Sequence, residues 1–217
     1  MTNEIQQFNQ QGGWTTPHRF YFPMAKNLLQ QAKELYSQLE DKEKELKKKV
    51  KSEETIWDEN TIAGYIQHLT NDDNNYLDAI CVSTQIFACM AVEAFLNFYG
   101  VKRLGEEYYK RSIERLGISQ KLETLIAICT QKLIDDKDEI STTVRRMFDR
   151  RNRLAHPKSR EVFSKNGKLV LPEFINHMEQ AEQAVSEMIV FFNKFQELDE
   201  SMEFDNPNNI TNISNSG

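Results

Sequence analysis

The sequence predicts an all-α protein, built as an antiparallel bundle of helices, and three observations support that prediction. The 217 residues include only eight glycines and five prolines, and 28% of them are charged. Apolar residues recur along most of the chain at intervals of three and four, which is the period of a helix with one buried face. Between Ala79 and Gly100 the only Asp, Glu, Lys or Arg is Glu93, a composition typical of the central helix of a bundle.

The N-terminal third is expected to lie outside the main bundle. Residues 1–23 form a Gln-rich arm that Gly and Pro residues interrupt, and its aromatic segment would anchor it to the domain. A helix follows at 25–51, and its last part is an exposed run of mixed charge. Residues 52–75 predict one or two short helices and then an Asn- and Asp-rich turn. We therefore divide the chain into an N-terminal arm and helical extension (1–75), a helical bundle (76–200) and a disordered tail (201–217).

The bundle begins with its central helix, expected at 76–104. Polar side chains within this helix argue against a membrane span, so no contact with a membrane is expected. A second helix is predicted at 106–116, closed by Gly117, because glycine commonly follows the last turn of a helix. Ser119 then opens a third helix, since serine is a preferred N-terminal cap.

The C-terminal half of the bundle is predicted from its turn and cap signals. The fourth helix must end before Pro157, because the residue before a proline disfavours helical geometry. Acidic residues at 135–139 are interpreted as the start of that helix rather than as a cation site. The dipeptide Asn166-Gly167, between apolar runs, predicts one small β-hairpin. The last helix is expected to start at residue 172 or 173.

Cysteine usage indicates the cellular compartment. Cys81, Cys89 and Cys129 form no metal-ligand cluster, and the first two lie in the most apolar helix as expected core residues. An odd count of cysteines without an N-terminal signal peptide favours the reducing cytoplasm. No metal and no cofactor are expected.

Positive charge is concentrated in one short segment, at 145–160. It holds seven basic residues and one acid, a local charge of +6 in a chain whose formal net charge is −6. Such a local field points to a phosphate-bearing ligand. The basic residues are Arg145, Arg146, Arg150, Arg151, Arg153, Lys158 and Arg160.

Arg151 occupies a core-facing position of the fourth helix. The residues Ile140, Val144, Met147, Arg151 and Leu154 follow one another at intervals of 4, 3, 4 and 3. A buried guanidinium needs an internal carboxylate, a solvated cleft or an anionic ligand, because an unpaired buried ion costs several kcal/mol, on the order of its desolvation penalty.

Glu93 in the central helix needs a partner for the same reason. Arg151 is one candidate, with Asn97 one turn along the helix as a supporting residue, and another basic residue is the alternative. His156, next to Pro157, can turn toward Arg151 from the last turn. The alternative there is a histidine that caps the helix and an arginine whose side chain extends to the surface.

The run from Arg151-Asn152 to His156 resembles the R-x4-6-H motif of the HEPN superfamily, with a polar residue directly after the arginine. The helix containing residues 91–97 is similar to the second helix of such domains, and about 60 residues separate Glu93 from the motif, as in that family. The resemblance covers residues 76–198 and leaves the N-terminal region unplaced. It implies a HEPN-type helical bundle with extra N-terminal helices.

The resemblance also implies an activity. HEPN ribonucleases are typically homodimeric, metal-independent endoribonucleases, often the toxin of a toxin–antitoxin or antiphage system, so RNA, a second copy and an antitoxin protein are the implied partners. Arg151, Asn152 and His156 would be catalytic, Glu93 and Asn97 supporting, and the other basic residues at 145–160 would bind RNA. The alternative is a non-catalytic HEPN-fold dimer that binds a nucleotide, RNA or a protein through the same basic end.

Overall fold

The fold is an all-α bundle, as the sequence predicts. The computed structural model describes the backbone of residues 7–9, 12–14, 16–52, 57–155, 164–165, 168–169 and 176–211, and the side chains of 16–52, 57–155, 176–202 and 205–209. Within these residues seven helices follow one another. They are α1 (His18–Ser52), α2 (Glu59–Leu104), α3 (Glu106–Ser112), α4 (Ile118–Thr130), α5 (Glu139–Ala155), α6 (His177–Leu198) and α7 (Pro207–Thr211).

Helices α1 and α2 form a long antiparallel pair, which corrects two expectations. The predicted turn at 71–75 is part of α2, where Asn74 Nδ2 donates hydrogen bonds to the carbonyl and the hydroxyl oxygen of Thr70, each at 3.1 Å. Asp73 forms an ion pair with Lys42 of α1. Asn and Asp signal turns when they are exposed, but here α1 supports the helix on which they lie. The predicted division at 75/76 therefore falls inside one continuous helix.

The start of α1 belongs to the main core rather than to a separate arm. The helix begins at His18 directly after Pro17, a residue favoured at helix starts, instead of at residue 25. Phe22 and Ala25 are fully buried in the same cluster as residues of α2, α5 and α6. The ring of Phe22 makes an edge contact with Phe192 of α6. The first turns of α1 therefore hold α2 and α6 together.

Helix α2 is the centre of the bundle. The ring of Phe95 contacts Phe191, Phe192 and Phe195 of α6, with ring centroids 4.9 to 5.9 Å apart. By length and composition alone α2 is apolar enough to cross a membrane, but 56% of that apolar window is buried inside the protein. The core helix of a bundle has the same composition, because it is apolar nearly all round.

Residues 200–211 are ordered, contrary to the prediction of a disordered tail from residue 201. A 3-10 turn spans Glu200–Asp205, and α7 follows it. The carboxylate of Asp205 is 1% exposed and accepts hydrogen bonds from Arg19 Nη2 (3.2 Å) and Lys102 Nζ (2.7 Å). The composition of the segment is that of a disordered chain, but this buried carboxylate ties it to α1 and α2. Residues 212–217 lie outside the described part of the chain.

Two short antiparallel ladders lie outside the helices. The first pairs Gln7–Asn9 with Gly12–Trp14 and was not expected from the sequence. The second pairs Ser164–Lys165 with Lys168–Leu169, on either side of the Asn-Gly dipeptide that predicts a hairpin. Helix α6 begins at His177, later than the expected 172 or 173, because the side chain of Asn176 accepts from the backbone N–H of Glu179 and caps the helix.

Candidate functional site

The last turn of α5 lies against the middle of α2, and this contact brings Arg151 to Glu93. Arg151 Nη2 is 3.7 Å from Glu93 Oε2, which is an ion pair longer than a hydrogen bond. The two side chains are 37% and 39% exposed. The predicted pairing is therefore present, but it is open to solvent. Glu93 also borders a groove between α2 and α3, described below.

The buried guanidinium of α5 belongs to Arg150, and the prediction that Arg151 faces the core is wrong. Arg150 is 8% exposed. It lies three residues after Met147, which lies four residues after Thr143, and both of these residues are buried in the same helix. The helical period of 3.6 residues fits the stripe of Thr143, Met147 and Arg150 as well as it fits the predicted stripe through Arg151. Helix α6 decides between the two, because its Glu187 accepts hydrogen bonds from Arg150.

Glu187 forms ion pairs with two arginines at once. Besides Arg150, it pairs with Arg146, whose Nε is 3.1 Å from Glu187 Oε1. The carboxylate of Glu187 is 14% exposed, whereas the side chain of Arg146 is 61% exposed. A carboxylate with two guanidinium partners fixes the angle and rotation of α5 against α6. Arg151 directly follows Arg150 in the helix, so the same contacts set its position.

The remaining residues of the basic segment are less involved in internal contacts. Arg145 Nη2 donates to the backbone carbonyl of Asp136 at 2.9 Å, and Arg153 is exposed without a hydrogen bond or ion pair in the described part of the chain. Asn152 Oδ1 accepts from Arg151 Nη1 at 3.1 Å, so the two predicted catalytic residues touch. Burial removes Arg150 from the predicted RNA-binding set, because a buried guanidinium cannot reach a phosphate.

Three predicted site residues lie outside the described residues, namely His156, Lys158 and Arg160. Helix α5 is described up to Ala155, so it continues to the residue directly before His156. The predicted end of the helix before Pro157 therefore stays a prediction, because the residues from 156 to 160 lie outside the described part of the chain.

Asn97 belongs to a polar network that the sequence analysis missed. Its Oδ1 accepts hydrogen bonds from the hydroxyl of Tyr109 (2.5 Å) and from Lys121 Nζ (2.8 Å). Lys121 is 4% exposed, and desolvation lowers its pKa. Burial raises the pKa of Tyr109, so its hydroxyl keeps its proton and remains a hydrogen-bond donor. The signal was present in the sequence, because the spacing of Ile118, Lys121, Leu122 and Leu125 puts the lysine on the apolar face of α4.

A groove of about 580 Å³ opens where α2, α3 and the start of α1 meet; we call it the α2–α3 groove. Tyr109 helps to form it, because its ring packs directly on Gly100 of α2, where a larger residue would overlap it. Glu93, which pairs with Arg151, and Asn97, which belongs to the polar network, both line the groove, since they are one turn apart on α2. The groove therefore adjoins the ion pair of Arg151 through Glu93.

Cys81 and Cys89 are buried core residues without features of a nucleophile. Burial raises the pKa of Cys81 to about 11 and that of Cys89 to about 12, so both thiols are protonated at neutral pH. No group of three or more His, Cys, Asp or Glu side chains that would hold a metal ion occurs among the described residues.

Compared with known proteins, the chain matches no protein-family model, no curated protein and no solved structure.

The Glu93–Arg151 pair can be measured with a double-mutant cycle. We expect Glu93→Gln and Arg151→Ala to be coupled by about 0.2–1 kcal/mol in the free energy of unfolding, because both side chains are more than one third exposed and solvent screens such pairs. Urea denaturation of the two single variants and the double variant gives the coupling. The pair of Lys33 and Glu182 has similar exposure (48% and 47%) and is a matched reference. Strictly additive effects at 93 and 151 would contradict the pairing.

Proposed function

We propose that the protein is a metal-independent endoribonuclease of the HEPN type, active as a homodimer, with Arg151, Asn152 and His156 as its catalytic residues. The observation that supports this most is the position of Arg151. Its guanidinium is partly exposed in the last described turn of α5, contacts both Glu93 and Asn152, and lies five residues before His156. A polar cluster at the open end of a basic helix suits a phosphate of a nucleic acid.

The chemistry that these side chains suit is attack by the 2′-hydroxyl of RNA on the adjacent phosphorus. The 2′-oxygen forms a bond to phosphorus, the bond to the 5′-oxygen breaks, and the products carry a 2′,3′-cyclic phosphate and a 5′-hydroxyl. His156 takes the proton from the 2′-hydroxyl, since imidazole exchanges protons near neutral pH. Arg151 stabilises the negative charge that grows on the phosphate oxygens. Asn152 holds the guanidinium of Arg151 in position.

A second copy of the chain completes the mechanism. The leaving 5′-oxygen must receive a proton, and one histidine does not serve as base and acid in the same step. In a dimer with two-fold symmetry around the ends of the two α5 helices, the second His156 supplies that proton. We expect light scattering at micromolar concentration to give the mass of a dimer. A strictly monomeric protein would contradict the shared cleft, while leaving the described contacts of Arg151 unchanged.

The proposal is tested by comparing two arginines of the same helix turn. RNA incubated with the protein in EDTA is expected to be cleaved, and Arg151→Ala is expected to slow cleavage by about 10²–10³-fold, the range for one lost donor to a developing oxyanion. Arg153→Ala is the matched control: it should mainly weaken RNA binding and flatten its dependence on salt. DNA of the same sequence should resist, because it lacks the 2′-hydroxyl.

Two outcomes would count against the proposal. Equal rates for Arg151→Ala and wild type would show that the activity does not depend on this site. Binding of RNA without cleavage would favour the non-catalytic HEPN-fold dimer instead. The cellular setting that we propose, by the same resemblance, is a toxin–antitoxin or antiphage system in the cytoplasm.

A further inference from the structure

The α2–α3 groove carries a negative charge beside the basic helix α5. Three carboxylates line it, from Glu93, Glu106 and Glu114, against one ammonium, that of Lys110, which leaves a net charge of −2 among the charged lining residues. Lys110 Nζ lies 2.6 Å from Glu106 Oε1, so these two neutralise each other. Glu93 and Glu114 remain, with the guanidinium of Arg151 beside Glu93 and the ammonium of Lys121 near both carboxylates.

Two carboxylates of the groove, those of Glu93 and Glu114, have no hydrogen-bond donor in the described part of the chain. Glu93 accepts no hydrogen bond in the described part of the chain, and its one ion pair, to Arg151, is 3.7 Å long. Glu114 has no side-chain hydrogen bond and no ion pair within that part of the chain. Asn97 directs its Oδ1 to Tyr109 and Lys121. A ligand for this groove can therefore supply the donors that Glu93 and Glu114 lack.

The walls between these carboxylates are apolar and aromatic. They comprise side chains of α1 and α2, namely Tyr21, Met90, Ala94, Phe98 and Val101. An aliphatic stem can pack against such walls while its charged head reaches the carboxylates. Aromatic faces add an attraction for a cation.

We propose that the α2–α3 groove is a docking site for a basic segment of a partner protein, with an arginine guanidinium bound by Glu93. A guanidinium fits better than an ammonium, because its planar set of five donors matches a carboxylate bidentately. RNA fits less well, because its phosphates are acceptors and bring no donor to the two carboxylates. The proposal does not require the phosphate-binding role that we propose for Arg151, although the two sites share the contact between Glu93 and Arg151.

Arg151 competes with the incoming group. Its guanidinium contacts Glu93 at the edge of the groove, so a partner's arginine must share or replace that contact. The competition gives the proposal a signature that a purely structural role of Glu93 would not produce: removal of Arg151 should strengthen binding of the partner segment.

The test uses a fluorescein-labelled peptide of alternating arginine and leucine, with fluorescence anisotropy of the full chain as the readout. We expect Glu93→Gln to weaken binding about tenfold, as for a lost charge-assisted contact. Arg151→Ala should strengthen binding about threefold, the scale of an exposed ion pair. Ala94→Trp, which fills the groove without removing a charge, should also weaken binding. Asp78→Asn is the matched control, an exposed carboxylate on α2 outside the groove, and should change nothing.

Control ligands separate charge from shape and protein from RNA. A peptide with citrulline in place of arginine keeps the shape without the charge and should not bind. Circular dichroism of each variant confirms that it is folded. Binding that is unchanged in both Glu93→Gln and Ala94→Trp would overturn the proposal. An oligoribonucleotide that binds wild type but not Ala94→Trp would also overturn it, because the groove would then be an RNA site.

Discussion

Replacing Glu187 with alanine is expected to lower the free energy of unfolding by about 3–5 kcal/mol, the cost of removing one partner of a buried ion pair. Arg150 would keep its charge in the core, with its side chain 9% exposed and without a carboxylate, and Arg146 would lose its partner as well. Equilibrium unfolding in urea, followed by circular dichroism, measures the loss. We expect this loss in the free energy of unfolding to be the largest among the single substitutions that we propose.

Two matched variants make that prediction specific. Glu182→Ala removes an ion pair from the same helix, but that pair is nearly half exposed and should cost under about 1 kcal/mol. The double variant Arg150→Met with Glu187→Leu replaces the buried pair by apolar side chains and should recover most of the loss, because such replacements are often neutral or stabilising. A Glu187→Ala variant as stable as Glu182→Ala would contradict the assignment of Arg150 and Glu187 as the contact that fixes α5.

The largest effect on activity is expected at His156. His156→Ala should slow RNA cleavage by about 10²–10⁴-fold, the usual contribution of a positioned acid–base group. The measurement is the initial rate of cleavage of an oligoribonucleotide at saturating concentration, so that a change in binding does not enter. The free energy of unfolding of the variant is measured alongside, so that a loss of activity is distinguished from a loss of fold.

His68→Ala is the control for this experiment. His68 is an exposed histidine on α2, remote in the chain from the basic segment, and its loss should leave the rate unchanged. An equal loss of activity in both variants would point to a general effect of the substitutions. A His156→Ala variant as fast as wild type would mean that another group transfers the proton.

Most of the bundle could be predicted from the sequence, because helical period, caps and breakers act locally. Helix α4 begins one residue before the expected Ser119, and α6 carries the Phe and Met side chains that its apolar spacing predicts in the core. The continuous helix through 71–75 could not be predicted in this way. Its polar residues signal a turn when taken alone, and only the contact with α1 makes them the exposed side of a helix.

The candidate site shows where such inference ends. The pairing of Glu93 with Arg151 follows from two charges on apolar helices, and the structure contains it. The choice between Arg150 and Arg151 as the buried guanidinium could not be made, because adjacent positions fit one helical period equally well. That choice depends on Glu187 of α6, which lies 37 residues from Arg150 along the chain. The order of the segment after residue 200 could not be predicted for the same reason, because Asp205 is held by Arg19 of α1 and Lys102 of α2, which are distant in the chain.

The most direct test of the proposed function is the chemistry of the RNA ends. An oligoribonucleotide with one fluorescent end is incubated with the purified protein in EDTA, and the products are analysed by mass spectrometry. Attack by the 2′-hydroxyl, with Arg151 and His156 as its stabiliser and base, predicts fragments with a 2′,3′-cyclic phosphate and a 5′-hydroxyl. Fragments with a 5′-phosphate that form only when Mg²⁺ is added would contradict it.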